Sequence, residues 1–231
     1  QEPEIVDLAN FLNKCGAKIV GAGNSVIKIQ GVEELYGCEY TIMSDRIVAT
    51  TYLSCAAITG GEILLKNIDS RYIESVFPIF RQTGCTIIPN ENSIYIKSKK
   101  NLSPMKCIRT MPYPGFPTDS QSLIMAVSLV CKGTSVFIEN IFENRFKVVD
   151  EFRKMGANVS VEGKVCVVEG VSILYGSKVH STDLRGGAAL VVAGLAAEGE
   201  TNVFDIHHID RGYENFEKNL NLLGACIKRE Q

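Results

Sequence analysis

Hydrophobic and polar positions along this chain fall into short segments of two kinds, repeated in a fixed order. Residues 182–197 (TDLRGGAALVVAGLAA) open with a capping Thr-Asp pair and continue in apolar helix formers, which predicts a helix. Residues 201–206 (TNVFDI) alternate as a strand does. Residues 210–223 predict a second helix with Phe216, Leu220 and Leu223 on one face, stopped by Gly224. In another copy, Asn158–Val161 and Val165–Val168 read as two strands around a Glu162-Gly163 turn. The block is βαβαββ-like, and its helices are apolar for most of their length, which predicts burial on more than one side.

The block recurs. Helix ends read Leu12-Asn-Lys-Cys-Gly16, Phe80-Arg-Gln-Thr-Gly84, Phe152-Arg-Lys-Met-Gly156 and Leu220-Asn-Leu-Leu-Gly224, so the glycines stand 68, 72 and 68 residues apart. Ser44-Asp45, Thr118-Asp119 and Thr182-Asp183 each precede an Ala-rich apolar run. That period exceeds those of the common solenoids, and each copy is expected to be a small α/β unit. Residues 1–30 hold only a closing helix, with Pro3 near its start and Gly16 as its stop, and a hairpin. Such a piece cannot bury a face alone. The expected division is residues 1–43 as the tail of an incomplete first domain and 44–231 as a second domain of three units around a pseudo-threefold axis.

Composition narrows the classes of function. The chain has 231 residues, 45% hydrophobic and 22% charged, with no apolar run long enough for a membrane span. A net charge of −2 and a pI near 6.0 argue against a nucleic-acid surface, which needs a basic stripe. The acidic start Gln-Glu-Pro-Glu leads directly into a helix, so no signal peptide is expected. Eight cysteines sit singly with no C-x-x-C pair, a usage that fits reduced thiols in a cytoplasmic protein. His207-His208 is the one histidine cluster, and neither a metal nor a cofactor is expected.

Arginine marks the predicted helix starts. Asp69-Ser-Arg71, Asn144-Arg145 and Asp210-Arg211 open the second helix of each copy, and Asp45-Arg46 and Asp183-Leu-Arg185 open two of the first type. A cation in the first turn opposes the helix dipole by roughly 0.3–1 kcal/mol, so the placement is locally unfavourable without an anion. With one, free N–H donors and guanidinium together suit phosphate or carboxylate. A plainer explanation competes: Asp45, Asp119 and Asp183 occupy equivalent positions and can simply be N-caps worth about 1 kcal/mol each, with the arginines solvated or paired to them. The copies differ most at residues 104–119 (PMKCIRTMPYPGFPTD), which hold four of the seven prolines. Stacked prolines stiffen the loop and present Asp119 at a fixed helix entrance, where a carboxylate can serve as general base.

Phe116-Pro-Thr-Asp119, Phe142-Glu-Asn-Arg145-Phe, Thr182-Asp-Leu-Arg185 and His208-Ile-Asp-Arg211-Gly-Tyr-Glu214, in this order and spacing, resemble the UDP-N-acetylglucosamine enolpyruvyltransferase (1-carboxyvinyltransferase) family along nearly the whole chain. The resemblance implies an inside-out α/β barrel of repeated units, with helix N-termini facing an interdomain cleft. It also implies enolpyruvyl transfer from phosphoenolpyruvate to the 3′-hydroxyl of UDP-N-acetylglucosamine, the first committed step of peptidoglycan synthesis. Asp119 would deprotonate that hydroxyl, Ile141 would contact the nucleotide sugar, and Arg185 and Arg211 would hold phosphoenolpyruvate with Arg145 close by. The family's Lys-Asn phosphate site and reactive-Cys loop would lie before residue 1, so this chain is expected to be inactive without that N-terminal part. Gly186-Gly187-Ala188 stands where the family usually has Ala-Ser-Ala, and glycine there is expected to allow close backbone approach to a ligand. Two other readings remain at this point: a relative acting on 3-phosphoshikimate, and a non-catalytic scaffold of α/β repeats, which would leave the Arg-led helix starts unexplained.

Overall fold

The computed structural model describes residues 1–230. The chain begins with helix α1 (Pro3–Lys14) and an antiparallel pair, β1 (Lys18–Val20) and β2 (Lys28–Gln30). Residues 31–45 carry neither helix nor strand. The next unit runs α2 (Arg46–Thr59), β3 (Glu62–Lys66), a 3-10 turn over Ser70–Val76, α3 (Phe77–Gln82), β4 (Thr86–Asn90) and β5 (Ser93–Lys97). The middle unit runs β6 (Cys107–Arg109), α4 (Thr118–Ser128), β7 (Thr134–Ile138), a 3-10 turn over Arg145–Val148, α5 (Val149–Lys154), β8 (Asn158–Glu162) and β9 (Val165–Glu169). The last comprises β10 (Leu174–Tyr175), β11 (Lys178–His180), α6 (Leu184–Gly194), β12 (Ala197–Glu198), β13 (Asn202–Phe204), α7 (His207–Asp210) and α8 (Phe216–Leu222).

Helices α2, α4 and α6 pack against one another at the centre. Every residue of α4 from Ser120 to Ser128 and of α6 from Arg185 to Ala193 is buried; the apolar stretches from Leu123 and from Ala188 predict this, whereas the buried Ser120, Gln121, Ser122 and Arg185 at the helix starts go beyond it. Sheets flank this bundle: β3-β5-β4 on one unit, β6-β7-β9-β8 on the next, and the parallel pairs β11-β13 and β10-β12 on the third. The repeated helix ends behave alike. Gly16, Gly84, Gly156 and Gly224 have φ of +102°, +93°, +85° and +97°, the left-handed stop that glycine adopts without a Cβ penalty. Four residues before three of these glycines, Phe80, Phe152 and Leu220 are at most 1% exposed.

Three expectations need correction. Only the middle unit shows the whole βαβαββ order among the described residues, since neither 40–43 nor 225–230 forms a strand. The second helices of the first two units open as 3-10 turns, with α3 starting only at Phe77. Residues 210–223 are not one helix: α7 ends at Asp210 and α8 begins at Phe216, after Asn215 at φ +48°. Tyr213, which shares the helical spacing of Phe216 and Leu220, is nevertheless buried with them at 4% exposure.

Gly186 and Gly187 are explained by packing. A Cβ on Gly187 would lie 2.1 Å from Ser181 Oγ and 2.7 Å from Ile209 Cγ1, and one on Gly186 would lie 2.9 Å from Thr182 Oγ1. Close approach here is between α6 and its own unit, which replaces the expectation of close approach to a ligand. Gly187→Ala should therefore destabilise the chain by about 1–3 kcal/mol through overpacking, although alanine is the better helix former. Urea unfolding checks this; an unchanged or raised midpoint would contradict it.

Candidate active site

The central packing carries the entrances of α2, α4 and α6 to one cleft of about 920 Å³. One wall comes from α1 (Ile5, Leu8, Phe11) and the linker (Cys38, Tyr40, Ile42). The opposite wall holds Arg46, Tyr113, Asp119, Ile141 and Arg185.

The three equivalent aspartates do different work. Asp45 accepts from the backbone N–H groups of Ile47 and Val48, and Asp183 accepts from those of Arg185 and Gly186, so both are N-caps. Asp119 is not. Helix α4 starts earlier relative to the repeat, with Pro117 at its N-cap position and no side-chain cap, which places Asp119 inside the first turn. Its carboxylate instead accepts from Arg145 Nη2 at 2.9 Å and Arg185 Nε at 3.3 Å. The Arg145 and Arg185 side chains are 9% and 11% exposed and that of Asp119 41%, so two recessed cations flank a carboxylate open to the cleft. Asp119, Arg145 and Arg185 together carry one net positive charge, although Glu2, Glu4, Asp7 and Asp45 also line the cleft; the two guanidiniums are the groups suited to an anionic ligand.

Each arginine is held from behind. Arg145 Nε donates to Thr118 Oγ1 at 3.1 Å, and its guanidinium lies 4.4 Å from the Phe142 ring centroid. Arg185 Nη1 donates to the Tyr213 hydroxyl at 3.3 Å, and that hydroxyl also bonds Thr51 Oγ1 at 2.8 Å, tying α6 to α2. Burial works against the charge on Arg185, but Tyr213 and Asp119 outweigh it and raise its pKa above the ordinary value. Burial also raises that of Tyr213, although Arg185 and Thr51 oppose the shift. Arg46, in the first turn of α2, pairs with Glu4 of α1 at 2.7 Å and lies 5.6 Å from the Tyr113 ring centroid, fastening α1 to both α2 and the Pro-rich loop. Arg71 takes the plainer role and pairs with its neighbour Asp69 at the surface.

Arg211 departs from expectation. It follows the last residue of α7 and so does not open a helix. It is exposed, does not line the cleft, and pairs with no carboxylate among the described residues. Ile141 lines the cleft and is 43% exposed. The His207 and His208 rings lie 4.1 Å apart, and among the described residues no group of three or more His, Cys, Asp or Glu is placed to hold a metal.

Glu139 was not legible beforehand. It is 1% exposed, and its carboxylate accepts from Thr110 Oγ1, Thr118 Oγ1, Ile141 N and Phe142 N at 2.7–2.9 Å. One buried carboxylate thus joins the end of β6, the start of α4 and the 141–142 loop, and through Thr118 it reaches Arg145. The signal available was faint: a lone acid ending the apolar strand Val136-Phe-Ile138.

Residues 1–220 match the family model described as EPSP synthase (3-phosphoshikimate 1-carboxyvinyltransferase). The chain belongs to this family. It is 50% identical, over its whole length, to UDP-N-acetylglucosamine 1-carboxyvinyltransferase 1 of Caldanaerobacter subterraneus, covering 55% of that protein. It is 52% identical to UDP-N-acetylglucosamine 1-carboxyvinyltransferase of Desulfofundulus thermocisternus, with 96% of this chain and 92% of that protein covered. Among solved structures, the enolpyruvyl transferase NikO from Streptomyces tendae superposes with a TM-score of 0.86 at 25% identity, over 99% of this chain and 55% of NikO. EPSP synthase from Acinetobacter baumannii gives 0.70 at 21% identity, over 96% of this chain and 54% of its own, a likeness of fold. The enolpyruvyltransferase architecture that the family resemblance implied is the observed one. The chain spans about half the length of most of these relatives.

The Glu139 hub gives a direct test. Glu139→Gln preserves shape but turns an amide NH2 toward groups that are themselves donors, and should cost about 1–3 kcal/mol of stability. Urea unfolding measures the loss; a change below experimental error would show the hub to be dispensable.

Proposed function

We propose that this chain supplies one side of the site at which an enolpyruvyl group passes from phosphoenolpyruvate to the 3′-hydroxyl of UDP-N-acetylglucosamine, in cytoplasmic peptidoglycan synthesis and hence in cell growth and division. The observation that carries this reading is Asp119, released from capping and held between Arg145 and Arg185 at the cleft surface. Relatives named for the nucleotide sugar match at about 50% identity, whereas the solved EPSP synthases match at 21–22%, so the sugar is favoured over 3-phosphoshikimate.

In this reading Asp119 accepts the proton of the attacking hydroxyl. Ile141 packs against the nucleotide sugar. Arg185, with Arg145 beside it, takes one anionic end of phosphoenolpyruvate, and Arg211, exposed and unpaired among the described residues, turns to the other. Prepositioned cations suit an addition–elimination path, because charge that develops on the substrates meets a field already in place. The domain division is 1–43 and 44–231, and an N-terminal part of the same enzyme closes the cleft over the apolar side chains of α1. The chain by itself should release no phosphate from the two substrates.

Two measurements test the reading. In the complete enzyme, Asp119→Asn should lower turnover about 100-fold or more. Urea unfolding of the same variant separates a loss of stability, from the ion pairs to Arg145 and Arg185, from a loss of chemistry; equal turnover would remove Asp119 from the chemistry. In the chain alone, sulfate should raise the melting temperature relative to chloride at matched ionic strength, with millimolar affinity of about −4 kcal/mol. The gain should vanish in Arg145→Ala/Arg185→Ala and grow in Asp119→Asn, which removes the competing carboxylate. The same gain in all three proteins would mean general salt exclusion and no anion site.

A further inference from the structure

Cysteines expected to sit singly include one close pair. Cys15 Sγ and Cys38 Sγ lie 3.4 Å apart, and among the described residues no other two thiols are in hydrogen-bond contact. Cys15 caps the C-terminus of α1 and is 8% exposed; Cys38 is half-buried, lies in the linker and lines the cleft. The backbone around the pair is already held together. Tyr36 N donates to Cys15 O at 2.7 Å, Lys14 Nζ donates to Glu39 O, and the Tyr40 hydroxyl donates to Asp7 Oδ1 at 2.9 Å. Phe11 packs edge-on against Tyr40 with centroids 5.5 Å apart. Reaching a covalent S–S distance of about 2.05 Å requires the two sulfurs to close by roughly 1.4 Å.

We propose that Cys38 and Cys15 form a dithiol modification site in the cleft wall, at which a hydroperoxide oxidises Cys38 and Cys15 captures it as a disulfide. The half-buried Cys38 is the sulfur that a small oxidant meets. It attacks the peroxide, an S–O bond forms as the O–O bond breaks, and the Cys38 proton leaves with the departing oxygen as water, or as an alcohol from an alkyl hydroperoxide. Cys15 sulfur then attacks the Cys38 sulfenic acid. The S–S bond forms, the S–O bond breaks, and hydroxide takes the Cys15 proton as a water molecule. Two thiols lose two electrons and the hydroperoxide gains them.

Other cysteines lack this arrangement. Cys55, Cys131 and Cys166 are buried, and desolvation pushes each up to about 12, which keeps them as unreactive thiols. Cys85 is buried with its Sγ in contact with Thr83 Oγ1 and Ser98 Oγ, and Cys107 and Cys226 are exposed; among the described residues none of the three has a thiol in hydrogen-bond contact. The hydrogen-bond contact with Cys38, together with burial, raises the pKa of Cys15, consistent with a resolving partner that stays protonated until Cys38 is oxidised. The product fixes the linker onto α1 and covers Cys38 in the cleft. This inference does not depend on the proposed reaction.

The purified chain, treated with an equimolar amount of hydrogen peroxide, alkylated and digested with trypsin, tests it. The expected product is the peptide 15–18 joined to the peptide 29–46, with free thiols in denaturant falling from eight to six and returning with dithiothreitol. Cys15→Ser should instead leave Cys38 as a sulfenic acid that dimedone traps, and Cys38→Ser should leave Cys15 a free thiol. Oxidation of Cys107 and Cys226 with Cys38 still a thiol would overturn the proposal. So would oxidised Cys38 beside a Cys15 that remains open to alkylation after denaturation.

Discussion

Everything at the site depends on the packing of α2, α4 and α6 against one another. These helices are apolar on nearly all sides, so their only stable position is the middle of the molecule, with sheets around them. Once they pack together, their N-terminal turns converge. Residues 66 positions apart, Asp119 and Arg185, then meet within hydrogen-bonding distance.

The repeat supplies the scaffold, and its irregularities supply the chemistry. Asp45 and Asp183 satisfy backbone N–H groups, as an equivalent position in each copy should. The Pro-rich loop starts α4 early and removes Asp119 from that duty, so its carboxylate is free to face two guanidiniums. Glu139 fixes this arrangement with four hydrogen bonds from a carboxylate that is itself buried. Tyr213, in the turn between α7 and α8, plays a similar part, because its hydroxyl joins Arg185 of α6 to Thr51 of α2.

The first 43 residues stand apart in character. Ile5, Leu8, Phe11, Val20, Ile29 and Ile42 are all exposed, and the segment joins the remainder through contacts such as Arg46–Glu4. The side of the cleft made of α1 and the linker mixes exposed apolar side chains with Glu2, Glu4 and Asp7, and the Cys15–Cys38 pair sits on that side.

Local pattern determined the buried helices and the left-handed glycine stops, because each depends on residues within a few turns of one another, and its recurrence along the chain gave the repeat period and the family resemblance. Asp119 was legible as special from its four neighbouring prolines, and Arg145 and Arg185 from their place beside predicted helix starts. What the sequence could not decide was which aspartate caps and which does not, since all three share the same local pattern. Nor did it reveal that Gly187 yields to Ser181 and Ile209, that Glu139 gathers two threonines and two amides, or that Cys15 lies against Cys38. The 210–223 segment carried a helical period that tertiary packing overrode at Tyr213 and Asn215, and Arg211 lost its expected helix start with it. Periodicity records which face of a segment is buried; which partner meets that face is set only when segments distant in the chain compete for the same space.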